Sequence, residues 1–263
     1  MKKKWALAAL AMMLLSGCQS QLNFSSEKNP ASNEGQAIEK EQQQNIEDEL
    51  TLSAKYFNQI TETNGKKVIQ NADNTLVLVN KEFYLSSEYI PKDLVRANIS
   101  YSFGDEQLEK ALLREDAAIA LEEMFQAAKK EQIELFAVSG YRSYARQESV
   151  FNNEVAQHGI EKAKEAVAIP GQSEHQTGLT MDISAHSVDL LLTEDFEKTA
   201  EGKWLAENAH KYGYILRYPK GKEAVTGYKY EPWHFRYVGK PFAEQIYVNQ
   251  LTLEEYFNIV KEI

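Results

Sequence analysis

Pro170-Gly171-Gln172-Ser173-Glu174-His175-Gln176-Thr177-Gly178-Leu179-Thr180-Met181-Asp182 is the stretch that organises the chain. Its partner is Tyr230-Glu231-Pro232-Trp233-His234-Phe235-Arg236-Tyr237. Together they offer two imidazoles, one close carboxylate and a spare one. A catalytic zinc takes three protein ligands and keeps a fourth position open. His175, Asp182 and His234 fill the three places, and Glu231 remains as a general base beside the open one.

The local pattern agrees with this. Gln176-Thr177-Gly178 reads as a turn, with Gly178 free to take backbone angles closed to other residues. Leu179 to Ser184 alternates as a strand does, so Thr180, Asp182 and Ser184 share one face. His175 before the turn and Asp182 on the strand then converge on one ion. Trp233 to Val238, rich in aromatic and β-branched residues, predicts a second strand. Pro232 keeps Glu231 extended at its start.

The pattern Ser-x-His-x-x-Gly-x-x-x-Asp followed by Glu-x-Trp-His resembles the zinc D-alanyl-D-alanine carboxypeptidases of the VanY type. Ser-Gly-Tyr-Arg-Ser at 139–143, Ser-Glu-His-Gln-Thr-Gly at 173–178 and Glu-Pro-Trp-His at 231–234 are most similar to the LdcB/DacB/VanY branch, in the same order. The resemblance spans roughly the last two-thirds of the chain. Thr180 stands where the family usually has Ala. The resemblance implies removal of D-alanine from peptidoglycan stem peptides. It also implies a hedgehog/DD-peptidase-like fold, in which a small antiparallel sheet carries the zinc and helices pack against it. It further implies that Arg142 faces the zinc, and that Gln147, Ser173 and Tyr218 hold the peptide with it.

Arg142 suits that role on chemical grounds. It lies on a Gly-containing turn at a strand end, where functional side chains gather. A guanidinium can stabilise the oxyanion that grows during attack on a peptide carbonyl, or grip a terminal carboxylate with two parallel hydrogen bonds. A surface salt bridge is the plainer fate of an arginine; the motif around Arg142 argues against it.

The chain start has its own signature. Lys2, Lys3 and Lys4 precede an apolar run from Trp5 to Leu15, and Leu15-Ser16-Gly17-Cys18 follows. The run is too short to span a bilayer and has signal-peptide flanks. Its ending resembles a bacterial lipobox, which predicts a signal peptide over 1–17 and a lipid on Cys18. An ordinary signal peptide with an incidental cysteine is the alternative; the position of Cys18 at the cleavage point argues for lipid. Cys18 is the only cysteine, so no intrachain disulfide forms. Residues 18–50 are rich in Ser, Asn, Gln, Glu and Lys, the composition of a disordered tether. Ser25-x-x-Lys28 within it has the spacing of a serine penicillin-binding motif, but no Ser-Asp-Asn or Lys-Thr-Gly accompanies it.

The remaining residues, 51–263 with a core about 75–250, are expected to form one α+β domain, since strands and helices mix without a βαβ rhythm. A hydrophobic content of 43% suffices for a core. Loss of three lysines from a net charge of −10 leaves about −13, which excludes nucleic acid as a partner. The pattern predicts a strand over 76–84, a helix over 105–131, a strand over 131–138, a helix N-capped by Ser143, a helix over 201–212, a strand over 214–218, a loop over 219–227 and a helical tail from Pro241. His158 and His210 are read as helix-end residues, and His186 as superfluous to a three-ligand site.

These readings lead to a monomeric, membrane-anchored zinc carboxypeptidase acting on peptidoglycan stem peptides. D,D- and L,D-cleavage stay open. One alternative is a wall-peptide-binding lipoprotein that uses zinc only for stability. Glu231 speaks against it, because a binder needs no base beside the metal. The other is a D-Ala-D-Ala dipeptidase, to be told apart by the depth of the pocket.

Overall fold

A computed structural model describes residues 50–263. The expected signal segment, Cys18, Ser25-x-x-Lys28 and all but the last residue of the expected tether lie outside the described residues. The site is carried by a four-stranded, wholly antiparallel sheet of β1 (Phe136–Ser139), β2 (Thr180–Ser184), β3 (Tyr214–Leu216) and β4 (His234–Tyr237), in spatial order β1-β2-β4-β3. Alternation along the strands separates two chemistries. Met181, Ile183, Phe235 and Tyr214 join the main core with Ala117, Leu121 and Met124 of α1 (Glu115–Lys130). The Tyr214 hydroxyl ties the two layers by donating to Ala117 O at 2.6 Å. Burying each large side chain contributes about 1.5–3 kcal/mol. The opposite set, Thr180, Asp182, Ser184, His234 and Arg236, is polar and equally buried. The α+β architecture expected from the sequence is the one observed.

Helices frame the polar set. Ser143 caps α2 (Tyr144–His158), its hydroxyl accepting from Arg146 N at 3.4 Å. Gly159 joins α2 to α3 (Ile160–Ala166). α4 (Ala200–Asn208) tightens into a 3₁₀ turn over Ala209–Tyr212, ended by left-handed Gly213. After the sheet come α5 (Lys240–Val248) and α6 (Leu253–Ile259), the latter started by a Thr252/Glu255 capping box. They bury Ile246, Leu253 and Tyr256 in a second cluster with Leu52, Leu76, Leu78 and Ile215. Thr51–Leu52 pairs in parallel with Lys261–Glu262, so the two ends of the domain meet.

Four expectations about local structure need correction. In 76–84 only Phe83–Tyr84 is a strand. The alternation is real, with Leu76 and Leu78 in the second cluster and Val77 and Val79 in the main one. Their backbone, however, joins no sheet: Asn58 bonds Leu78 N and O, Arg236 donates to Thr75 O and Val77 O, and Val77 N donates to Asn74 O. The helix over 105–131 begins only at Glu115. Leu112–Arg114 is a strand paired with Leu94–Arg96, and the carbonyls of Lys110 and Leu112 are taken by Gly140 N and Tyr141 N. Glu115 and Asp116 mark the true start, where the helix dipole favours acids. The strand over 131–138 shortens to Phe136–Ser139, because Gln132 at φ 63 belongs to the turn that ends α1. The loop 219–227 contains one helical turn, Glu223–Thr226.

Candidate active site

Register brings His175, Asp182 and His234 together. His234 opens β4 directly opposite Asp182 of β2. His175 sits in a 3₁₀ turn, Glu174–Thr177, closed by Gly178 at φ 67, as the Gln-Thr-Gly sequence requires. His175 Nδ1 donates to Gly140 O at 2.7 Å, which leaves Nε2 facing Asp182 Oδ2 at 3.4 Å. On the other side, His234 Nδ1 lies 3.1 Å from Asp182 Oδ1. The three donor atoms are within 4.8 Å of one another, and all three residues are buried. Two nitrogens and a carboxylate converging at one cavity wall match the donor set of a catalytic zinc. The chain therefore fits such an ion without rearranging a backbone element.

The charges fit as well. Burial pushes the His175 imidazole down to about 3, although Asp182 opposes it, so this ring is neutral and ready to donate electrons. Burial also works against a proton on His234. Asp182, Glu174 and Glu231 outweigh it and hold that imidazole up to about 9. In Asp182 the cost of burial is overcome by His175 and His234, and the carboxyl stays below its usual range.

Glu231 stands beside the His175, Asp182 and His234 group in the same cavity. Glu231-Pro232-Trp233-His234 is a β-turn closed by His234 N donating to Glu231 O at 3.1 Å, with proline in its favoured second place. The turn sets Glu231 Oε2 3.5 Å from His234 Nδ1. Burial pushes the Glu231 carboxyl up to about 7, with Asp182 and Glu174 adding to the rise and His234 and Arg142 opposing it. A carboxyl with that pKa both takes and gives a proton at neutral pH.

Arg142 reaches the same cavity from the end of β1. A bulge between Ala137 and Ser139 shifts the pairing so that Ser139 faces Asp182, and the bend re-aims the segment that follows. Arg142 N donates to His175 O at 3.1 Å. Its guanidinium donates to two neutral oxygens, Gln147 Oε1 at 2.9 Å and Ser139 Oγ at 3.2 Å. No carboxylate among the described residues forms a salt bridge with it. Gln147 spends its amide on Ala168 O at 2.7 Å, so it holds Arg142 in place as well as lining the cavity. Ser173 lies buried in the wall. Tyr218 packs its ring 4.7 Å from that of His234 and 4.8 Å from that of Tyr228. The cavity, about 250 Å³, contains every site residue expected within the domain: Arg142, Gln147, Ser173, His175, Asp182, Tyr218, Glu231 and His234. Cys18, where the sequence predicts a lipid, lies outside the described residues.

The other histidines stay apart. His158 lies 3.6 Å from Glu154, and His210 stacks on Tyr247 at 3.6 Å with Glu244 beside it. His186 packs edge-on against Phe136. Sequence reasoning overlooked the cavity residues Leu192, Tyr228 and Trp233. It also overlooked an ionic chain beneath the site. Arg217 bonds Glu254 through two nitrogens and Glu174 through a third, and Arg236 bonds the same Glu174 oxygen. Burial disfavours the Glu174 carboxylate, but Arg217 and Arg236 outweigh it and hold the group far below its usual range. A signal for this chain was present: Arg217 and Arg236 each interrupt an aromatic-rich strand segment, and a buried arginine demands an acid. Thr180 is buried opposite Arg236 with its hydroxyl unpartnered.

Comparison with known proteins follows the same lines. Residues 110–240 match the family model VanY, D-alanyl-D-alanine carboxypeptidase. The putative carboxypeptidase YodJ of Bacillus subtilis (strain 168) is 56% identical over 215 residues, covering 82% of this chain and 78% of YodJ. The chain belongs to the VanY carboxypeptidase family. Among solved VanY-family structures, the LdcB LD-carboxypeptidase superposes with a TM-score of 0.80 at 56% identity, covering 81% of this chain and 100% of LdcB. A D,D-pentapeptidase VanY from a VanB-type vancomycin resistance cassette, in complex with Zn(II), gives 0.57 at 32% identity over 70% of this chain and 99% of that one. VanY membership makes the protein a carboxypeptidase.

Proposed function

We propose that the protein is a zinc carboxypeptidase that removes the C-terminal D-alanine from peptidoglycan stem peptides, tethered to the outer face of the cell membrane through a lipid on Cys18. The observation that carries this is the meeting of His175, Asp182 and His234 with Glu231 and Arg142 in one cavity. His175, Asp182 and His234 hold the ion. When bound, zinc supplies Lewis acidity that polarises the scissile carbonyl and acidifies a water. Glu231 takes the proton of the attacking water and passes it to the leaving D-alanine amine, a shuttle suited to a carboxyl at about 7. Arg142, oriented by Gln147 and Ser139, faces the charge on the substrate, either the growing oxyanion or the terminal carboxylate. Ser173 and Tyr218 line the path of the peptide.

The similarity to a protein described as an LD-carboxypeptidase, at 56% identity against 32% for the D,D-pentapeptidase, supports L,D-cleavage of a tetrapeptide. Mass spectrometry of products from defined tetra-, penta- and dipeptides tests the reading. Release of D-alanine chiefly from the tetrapeptide is expected. Chief activity on the pentapeptide would move the assignment to D,D-cleavage, and activity confined to free D-Ala-D-Ala would make the enzyme a dipeptidase. The anchor rests on Leu15-Ser16-Gly17-Cys18. Two or three acyl chains on Cys18 would bind a membrane stably where one does not. Cys18→Ser is expected to release or mislocalise the protein, and membrane retention of that variant would point to an uncleaved signal as the anchor.

A further inference from the structure

His234 has two ring nitrogens and two different neighbours. Nδ1 looks into the cavity toward Asp182 and Glu231. Nε2 is buried and stands 3.5 Å from Glu174 Oε2, whose residue also lines the cavity. Neither His234 Nε2 nor Glu174 Oε2 has another partner, and both are buried.

The surroundings of Glu174 show that this oxygen is spare. Both arginines bond the other oxygen, Oε1, each at 2.7 Å. Arg217 bonds Glu254 through its other two nitrogens at 2.8 and 2.7 Å. Arg236 places its own on Tyr237 O, Thr75 O and Val77 O. Two glutamates and two arginines balance in charge, so the chain is complete without Oε2. A fully buried carboxylate oxygen left unbonded is costly, and among the described residues the group that faces it is the imidazole N–H of His234.

Resting on the metal reading above, we infer that Glu174 is the positioning residue of the metal site: its Oε2 accepts the Nε2–H of His234 and so commits Nδ1 to the ion. Metal-binding histidines characteristically donate their second nitrogen to a carboxylate or a carbonyl, which fixes the tautomer and the ring. In this chain each histidine has its own anchor. Gly140 O takes Nδ1 of His175, and Glu174 takes Nε2 of His234, so the two rings offer opposite nitrogens to one centre. Glu174 and His175 are neighbours on one 3₁₀ turn. The turn thus serves the ion twice, with His175 in contact and Glu174 through His234. Arg217 and Arg236 hold the carboxylate in place through its other oxygen, Oε1.

The test begins with ¹⁵N-labelled, zinc-loaded wild-type protein and long-range proton–nitrogen correlation of its histidines. His234 is expected to carry its proton on Nε2. A proton on Nδ1 in protein that holds zinc would overturn the assignment to Glu174 and leave the metal reading intact. Wild-type protein that takes up no zinc would instead overturn the metal reading and this inference with it. Zinc affinity is then measured by chelator competition in Glu174→Gln and Glu254→Gln, with thermal unfolding alongside. Glu174→Gln is expected to weaken zinc binding roughly 10- to 100-fold. Glu254→Gln disturbs the same ionic chain without facing His234, so it is expected to lower Tm with little change in affinity. Equal weakening in both variants would reduce Glu174 to a structural role. Should Glu174→Gln fail to fold, Glu174→Asp keeps the charge for the arginines but withdraws the oxygen from the ring. Unchanged affinity in that variant would refute the inference.

Discussion

Replacing Gly140 by alanine tests how the backbone builds the site. A Cβ at this position would sit 2.6 Å from Leu112 O and 3.2 Å from Lys110 O, both backbone atoms, and 2.9 Å from Met181 Cε. The methionine tip can swing aside. The two carbonyls cannot retreat freely, because they accept Tyr141 N at 2.8 Å and Gly140 N at 2.7 Å. Ordinary contact begins at 3.4 Å, so the segment must move by about 0.8 Å. That shift falls on the residue whose carbonyl anchors His175 and which lies two positions before Arg142. Overpacking of this kind costs about 1–3 kcal/mol. In a domain of this size that lowers Tm by roughly 2–12 °C. A displacement near 1 Å at positioned groups costs about 10²-fold in rate. Thermal unfolding and D-alanine release, measured on the same preparation, read both effects. A variant with unchanged Tm and full activity would show that the Gly140–Leu112 approach constrains neither fold nor site.

Glu231→Gln keeps the shape of the base and removes its function; turnover is expected to fall roughly 10²- to 10⁴-fold with zinc content unchanged, and loss of the metal would make Glu231 a ligand. Arg142→Lys keeps a charge but loses the planar fork that spans Gln147 and Ser139. A fall chiefly in kcat would assign the guanidinium to the oxyanion, a rise chiefly in KM to the substrate carboxylate, and unimpaired kinetics would remove it from the reaction. The proton that Asp182, Glu174 and Glu231 hold on His234 up to about 9 must leave before the metal binds. Zinc uptake at neutral pH is therefore expected to release about one proton, and apparent affinity to rise with pH until about 9. Calorimetry in buffers of different ionisation enthalpy reads this directly, and pH-independent affinity would contradict the charge balance described for the site.

Much of the site was legible because its chemistry is written in short spans. His175 and Asp182 lie within one turn and one strand, and Glu231 and His234 within one β-turn, so residue type and spacing were enough to place them. The resemblance carried Arg142, whose approach depends on a bulge at Ser139 that no local pattern announces. The ionic chain of Glu174, Arg217, Arg236 and Glu254 was less legible, since its members come from four separate segments: the aromatic setting of the two arginines signals that they need acids, but not which acids. The segment 76–79 shows a different limit. Its alternation records burial between two cores, while the choice between strand and loop was made by the side chains of Asn58 and Arg236. The start of α1 was obscured in the same way, because Leu108, Leu112 and Leu113 happen to continue its apolar spacing into a segment whose carbonyls serve Gly140 and Tyr141.

The pairing of Thr51–Leu52 with Lys261–Glu262 bears on how the protein is made. Lys261 N donates to Leu50 O, Ile263 N to Leu52 O, and Ala54 N to Ile263 O. The first strand of the domain therefore waits for residues synthesised more than two hundred positions later. A chain emerging from its N-terminal side passes the whole zinc-site sequence before this closure is available, and such long-range pairing is slow to form. Until then the strand edge beside Leu52 stays open. A product stopped short of Lys261 would keep every residue of the cavity and still lack the contact that shuts the domain, so the quality-control machinery of the cell would meet an unfinished edge rather than a missing active site.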